Sequence, residues 1–192
     1  MKIKRPTSNQ PIPKNAKRVF KGVLFDVWQW KQKMFDGSVE VFEKLKRPDI
    51  VNVLPVVDGK IILTIQSQPG TKSFIGAAGG RIDKGETPLS AAKRELLEET
   101  GYKAKKFILW YSIQLHPKID CAIYTFIAKS CKKVQKLRPD SGEKIKLKGF
   151  SFDDFLKVTA QKNYRDTEIS LRLFQIIQNP KKLKEMKKLF LD

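Results

Sequence analysis

Over the first third of the chain, apolar and polar residues alternate in short runs. Val19-Phe20-Lys21-Gly22-Val23-Leu24-Phe25, Val27-Trp28-Gln29-Trp30 and Val39-Glu40-Val41-Phe42 place β-branched and aromatic side chains at strand spacing. Asp36-Gly37-Ser38 interrupts them as a turn, so Arg18 to Lys46 is predicted to form two or three antiparallel strands. Asp49 to Val57 and Lys60 to Gln66 flank Asp58-Gly59, a hairpin signal, and a loop is expected from Gln68 to Gly80. The pattern then turns helical from Pro88 to Thr100. Thr87 offers an N-cap oxygen, Pro88 suits the first helical position, and Gly101 suits the left-handed position past the end. Phe107 to Leu115, Cys121 to Ala128 and Lys144 to Phe150 read as further strands, and Asp153 to Val158 and Thr167 to Gln178 as helices. On the second of these helices Leu171, Phe174 and Ile177 share a face. Leu183, Met186 and Phe190 form a stripe on a basic amphipathic end that reads as a helix packed on the domain. Strands before and after a central helix give a mixed α/β layered domain.

A chain of 192 residues with 41% hydrophobic content is the size of one domain and can bury its own core. The pattern divides it into a disordered basic tail (1–17), a β unit (18–46), the main domain (47–180) and a basic C-terminal helix (181–192). No apolar run has the length of a secretory signal or a bilayer span, so a soluble protein without membrane partners is expected. Two cysteines, Cys121 and Cys131, are too few for a disulfide framework and suit a reducing cytosol. The formal charge of +19 fits attraction for polyphosphates, a nucleic-acid surface or a lysine-biased composition. The lysines are spread over the tail, Lys129 to Lys148 and Lys181 to Lys188 without a nucleic-acid module, so the nucleic-acid reading is not favoured.

Chemistry concentrates in the segment Gly80 to Tyr102. Helical spacing puts Glu95 and Glu99 one turn apart on one face, Glu98 three residues from Glu95, and Glu86 just before the helix. Like charges so crowded repel unless a cation offsets them, and a hard divalent ion with oxygen ligands does so well. Arg94, four residues before Glu98, could orient a carboxylate, and Leu89, Ala92 and Leu96 form a face that can pack on a sheet. Gly79 and Gly80 allow a tight backbone path with a carbonyl facing a metal. The alternative is an exposed amphipathic helix with a solvated Glu cluster.

The segment resembles the Nudix box: Gly80, five residues, Glu86, seven residues, Arg94-Glu95, an apolar Leu96, one residue, Glu98-Glu99, one residue, Gly101, then Tyr102 at a position normally aliphatic. The resemblance implies an α/β/α sandwich around a mixed central sheet, with an N-terminal antiparallel β extension. It implies a loop-helix-loop binding Mg²⁺, with Mn²⁺ as a substitute. Glu95 and Glu99 would be the principal ligands, Glu98 a further ligand or base, and the Gly79 carbonyl a backbone ligand, with Glu86 and Arg94 in support. The implied reaction is attack of a metal-activated water on one phosphorus of a diphosphate.

Outside the box, Val19 to Leu156 loosely resembles the ADP-ribose pyrophosphatase branch. Pro117 falls 15 residues after the box, where that branch carries a proline. The strand unit at Arg18 to Lys46 is similar to a region exchanged between subunits, which implies a homodimer. Gly142-Glu143-Lys144-Ile145 looks like the loop that supplies a late glutamate, making Glu143 the candidate general base, with a solvated loop glutamate as the alternative. Trp28 and Trp30 are candidates to stack on adenine, with core or dimer packing as the alternative, and Arg47 resembles a substrate-contacting arginine. The branch often has an arginine two residues after a strand glutamine; here the run is Gln66-Ser67-Gln68, so Gln68 stands in that binding position. Ala77-Ala78 replace the common Leu-Pro before the glycines. The implied activity is hydrolysis of ADP-ribose to AMP and ribose 5-phosphate. Another nucleoside diphosphate sugar, a dinucleotide, a nucleoside triphosphate, or an RNA-directed Nudix protein (5′-end pyrophosphohydrolase or binding module) remain alternatives.

Overall fold

The structure is a computed structural model and describes residues 3–138 and 141–191. Its strands are β1 (Lys17–Lys21), β2 (Asp26–Lys33), β3 (Val39–Lys46), β4 (Ile50–Val57), β5 (Lys60–Ser67), β6 (Phe74–Gly76), β7 (Ala78–Arg81), β8 (Tyr102–His116), β9 (Ile119–Lys133) and β10 (Lys144–Phe150). The helices are α1 (Pro88–Thr100), α2 (Phe152–Thr159), α3 (Thr167–Ile177) and α4 (Pro180–Phe190).

The sheet runs β1-β2-β3-β9-β4-β5-β10, with β6 on β5, β7 on β4 and β8 on β9. It is mixed: β4 lies parallel to β9, with Ile50 opposite Ile123 and Pro55 opposite Ala128, while β5, β7 and β8 pair antiparallel. Six consecutive residues of β4, Val51 to Val56, are buried, because both faces of this central strand are covered.

Strand alternation then decides what each residue meets. Val51 and Val53, with Ala122, Tyr124, Phe126 and Ala128 of β9, pack on Ala91, Ala92 and Leu96 of α1. Leu54, Val56 and Ile127, in the opposite phase, pack on Phe155, Ile169, Leu173 and Phe190 of the three later helices. The chain is therefore an α/β/α sandwich, and Asn52, in phase with Leu54, points toward the α3 side.

Three readings need adjusting. Phe74–Gly76 and Ala78–Arg81 of the expected loop are strands, held by pairing with β5 and β4 that no local pattern displays. On α3 the packed residues are Ile169, Leu173 and Ile176, whereas Leu171, Phe174 and Ile177 face solvent. Finally, residues 3–16 are not a detached tail. Arg5 grips Asp49 through two bonds of 2.8 Å and reaches Asp120 at 2.9 Å, and the Pro6 carbonyl accepts from Gln114 at 2.7 Å. Lys44, almost wholly buried, donates to Ser8 Oγ and the Gln10 carbonyl, which supply the acceptors that its burial demands.

No helix among the described residues is long and apolar enough to cross a membrane. Cys121 and Cys131 are not joined in a disulfide.

Candidate active site

Helix α1 is fixed at both ends. Thr87 Oγ accepts from the Ser90 N–H at 3.1 Å while Ser90 Oγ accepts from the Thr87 N–H at 2.8 Å, a reciprocal cap with serine in the role more often played by glutamate. At the other end Gly101, at φ 71°, donates its N–H to the Leu97 carbonyl. With the Ala91, Ala92 and Leu96 face buried, the glutamates emerge toward β7 and the strand ends.

Arg94 gathers three of them. Its Nε and Nη2 hold Glu86 at 3.0 and 2.9 Å, and Nη1 holds Glu95 at 2.7 Å and Glu98 at 3.1 Å. Nη2 also bonds the Arg81 carbonyl at 3.0 Å, tying the helix to the end of β7. This guanidinium keeps the Glu86 carboxyl below the usual carboxylate range.

Glu99 stands apart. It is buried, accepts from the Gly79 N–H at 2.9 Å and from Gln66 Nε2 at 3.3 Å, and has no ion pair among the described residues. Burial pushes its carboxyl up to about 8 against the opposing Gly79 bond, and the charges of Glu95 and Glu143 push the same way. The helix can approach this closely because β7 carries glycines. A Cβ at Gly79 would run into the Val51 carbonyl, and one at Gly80 into the Glu95 carboxylate.

The antiparallel β5–β10 pair sets Lys144 opposite Ser67, so Glu143 comes level with Gln68, whose Nε2 donates to Glu143 Oε1 at 3.1 Å. The late glutamate thus lies near enough to Glu99 for its charge to be felt there.

Beside Gly79 and Gly80 opens a cavity of about 360 Å³ that is also lined by Arg47, Asn52, Arg165 and Glu168. Buried Asn52 donates Nδ2 to Glu168 Oε1 at 2.7 Å. Asp166 Oδ2 accepts from the Ala77 N–H at 2.6 Å and Oδ1 from Arg165 Nε at 3.0 Å, which locks the start of α3 to the strand entering β7. Burial, reinforced by the Asp166 charge, raises Glu168 to about 7.

Of the residues singled out in the sequence, Glu95, Glu98, Glu99, Arg94, Gly79, Glu143, Gln68 and Arg47 gather here. Trp28, Trp30 and Pro117 do not. Trp30 is buried against Phe42, ring centroids 6.1 Å apart, with its Nε1 on Gln32. Trp28 lines a separate cleft beside Arg5, Pro6 and Lys46, and Pro117 lies in the turn between β8 and β9. The sequence reading missed Gln66, Asn52, Arg165, Asp166 and Glu168. Asn52 left a visible signal, an amide inside an otherwise apolar buried strand, and Gln66 a weaker one, a buried amide in a strand that also carries Thr64.

Residues 46–171, more than half of the chain, match the family model described as NUDIX domain. The chain belongs to the Nudix family. It is 30% identical over 155 residues to "ADP-ribose pyrophosphatase" of Bacillus subtilis (strain 168), covering 79% of this chain and 84% of that one. It is 26% identical over 167 residues to "Methanol dehydrogenase activator" of Bacillus methanolicus, covering 84% and 90%. Its fold superposes on "Crystal structure of ADP compounds hydrolase" with a TM-score of 0.69 at 22% identity, over 93% of this chain and 98% of that one. The protein is a Nudix pyrophosphatase of the ADP-ribose pyrophosphatase branch.

Nudix hydrolases in general use divalent metal ions. Among the described residues no three His, Cys, Asp or Glu side chains form a ready-made cage, since Arg94 draws Glu86, Glu95 and Glu98 together while Glu99 turns to Gly79 and Gln66. The donor chemistry nevertheless fits: the oxygens are carboxyl and hard, and Glu99, which burial holds in its protonated form, has no paired side-chain cation, so a bound cation is what would favour its ionised form.

Proposed function

We propose that this Nudix pyrophosphatase hydrolyses the diphosphate of an ADP derivative, ADP-ribose foremost, to AMP and ribose 5-phosphate, with Mg²⁺ as its ion and Mn²⁺ as a substitute. The observation that carries this reading is the cavity lined by Arg47 and Arg165 and by Gly79 and Gly80, the two glycines against which Glu99 and Glu95 of α1 pack. A diphosphate in it would meet the arginines directly, with the glutamates of α1 just beyond the two glycines. The names borne by two of the similar proteins, an ADP-ribose pyrophosphatase and an ADP compounds hydrolase, point to the same substrate class.

Glu95, Glu98 and Glu99, with the Gly79 carbonyl, would hold the cation. When bound, it supplies neutralisation of charge at the phosphate and a lower pKa for the attacking water. The chain's own groups do the rest. Arg94 keeps Glu95 and Glu98 aligned, and Gln66 with the Gly79 N–H orients Glu99. Glu143, steadied by Gln68, accepts the water proton as general base. Arg47 and Arg165 bind phosphate oxygens and leave the diphosphate in line for displacement.

We assign the β1–β3 unit to dimerisation. In a single chain β1 is an exposed edge, with Phe20 59% and Val41 63% exposed on the unit, and a second copy would cover it. Cysteines that form no disulfide agree with a cytoplasmic location.

Supplying ADP-ribose, other nucleoside diphosphate sugars, dinucleotides and nucleoside triphosphates with Mg²⁺ and measuring released phosphomonoesters tests the activity. Turnover of ADP-ribose above the others is expected. Failure to split any sugar diphosphate removes the proposal.

A further inference from the structure

The cavity beside Gly79 and Gly80 is lined in a way that catalysis at the α1 glutamates does not explain. Its apolar wall is Ile50, Leu115 and Ile123, and none of its lining residues is aromatic. It therefore lacks a platform for stacking a nucleobase. Its polar groups are of two kinds. Arg47, Arg81 and Arg165 are donors suited to phosphate oxygens, and Arg47 Nε is buried without a partner among the described residues. Asp166 is already committed to the Ala77 amide and to Arg165. That leaves Glu168 as the cavity's carboxylate acceptor.

The position of Glu168 is built rather than incidental. Strand phase turns Asn52 of β4 toward α3, and its buried amide donates to Glu168 Oε1 at 2.7 Å. Packing of Ile169, Leu173 and Ile176 fixes the helix that carries it. A carboxylate brought partly out of water costs free energy unless something donates to it. One amide N–H does so here, and hydroxyl groups of a ligand would add to it. A carboxylate beside an amide is the equipment that discriminates a hydroxyl from its absence, because a ligand lacking the hydroxyl leaves a desolvated acceptor unpaired.

We propose that Glu168, held by Asn52, is the specificity-determining residue that reads the hydroxyl groups of the sugar half of the substrate, with Arg47 taking the adjoining phosphate. The proposal rests on the activity put forward above. It places the sugar phosphate, not the adenine, in the cavity between β4, β7 and α3. It also gives α3 a recognition role separate from the chemistry on α1.

The test uses the full chain and two readouts. Calorimetric titration with ribose 5-phosphate should give a Kd about tenfold weaker for Glu168→Gln than for wild type, the loss expected for one charge-assisted hydrogen bond. Glutamine keeps an oxygen for Asn52, so an unchanged melting temperature checks the fold. Kinetics then compare ADP-ribose with an ADP alkyl ester lacking hydroxyls. In Glu168→Gln the KM for ADP-ribose should rise about tenfold with kcat retained, while the alkyl ester keeps its wild-type KM. An unchanged Kd for ribose 5-phosphate, or an equal change in KM for both substrates, overturns the proposal. If wild type splits neither compound, the hydrolytic function fails instead, and the ribose 5-phosphate titration alone decides the role of Glu168.

Discussion

The molecule holds two groups of acidic side chains a short distance apart, and they are compensated in different ways. At the start of α3, each carboxylate has a designated partner: Asp166 takes the Ala77 amide and Arg165, and Glu168 takes Asn52. On α1, Arg94 serves Glu86, Glu95 and Glu98, but Glu99 is buried with only an amide N–H and Gln66. In the first arrangement Asp166 is paired with a cation, and Glu168, less buried than Glu99, keeps acceptor capacity open to the cavity, which suits recognition. The second leaves one carboxyl with no cation to stabilise its ionised form, and that point is where an added cation gains most.

The largest effect that would sharpen this contrast comes from Glu99→Gln. The substitution keeps an oxygen for the Gly79 N–H and removes the group that can ionise beside a cation, so kcat for ADP-ribose should fall by about 100-fold or more while the melting temperature holds. Wild-type turnover in this variant would break the contrast outright. Arg94→Lys comes next. A lysine cannot reproduce the forked bonds to Glu86, Glu95 and Glu98, and kcat should fall by about 10- to 100-fold, as expected when a group orienting ligands is lost. Asp166→Asn should act mainly on stability. It weakens a buried charge-assisted bond to Ala77, costing about 1–3 kcal/mol in denaturant unfolding, with kcat changed less than in either α1 variant.

The smallest effect is a pH dependence. Glu99 and Glu168 have ordinary carboxyl values of 4.5 raised to about 8 and about 7, so the folded chain keeps protons that the unfolded chain has released. Their contribution to stability is full below the unfolded value and is lost as pH rises through the folded ones. The melting temperature of wild type should therefore decline between about pH 5 and about pH 8 more steeply than that of Glu99→Gln. Added Mg²⁺ should flatten the wild-type curve. Parallel curves for the two proteins would show that Glu99 is not the uncompensated group.

The same contrast explains what could be read from the sequence. The α1 site was legible because its parts lie on one continuous segment: Thr87, Pro88 and Gly101 bound the helix by local chemistry, and Glu95, Glu98 and Glu99 share it by helical spacing. Glu143 was legible by resemblance. The α3 site is assembled from β4, β7 and α3 by sheet register, so Asn52 and Glu168, 116 residues apart in the chain, carry no joint pattern. Leu171, Phe174 and Ile177 mark the limit of periodicity more sharply, since the apolar stripe they form is the solvent-facing one and Ile169, Leu173 and Ile176 reach the core. Residues 3–16 were misread because their anchors, Asp49, Asp120 and Lys44, lie far along the chain. Trp28 and Trp30 have the right chemistry for stacking, but within one chain neither reaches the cavity.

The central claim is that the glutamates of α1 gather a divalent cation to split a diphosphate. Titrating Mg²⁺ into the metal-depleted protein, with AMP release from ADP-ribose followed at each concentration, tests it most directly. The account predicts no turnover without the ion, saturable activity as it is added, and loss of that response in Glu99→Gln. Full activity in the presence of a chelator, or a Mg²⁺ response identical in wild type and variant, would contradict it.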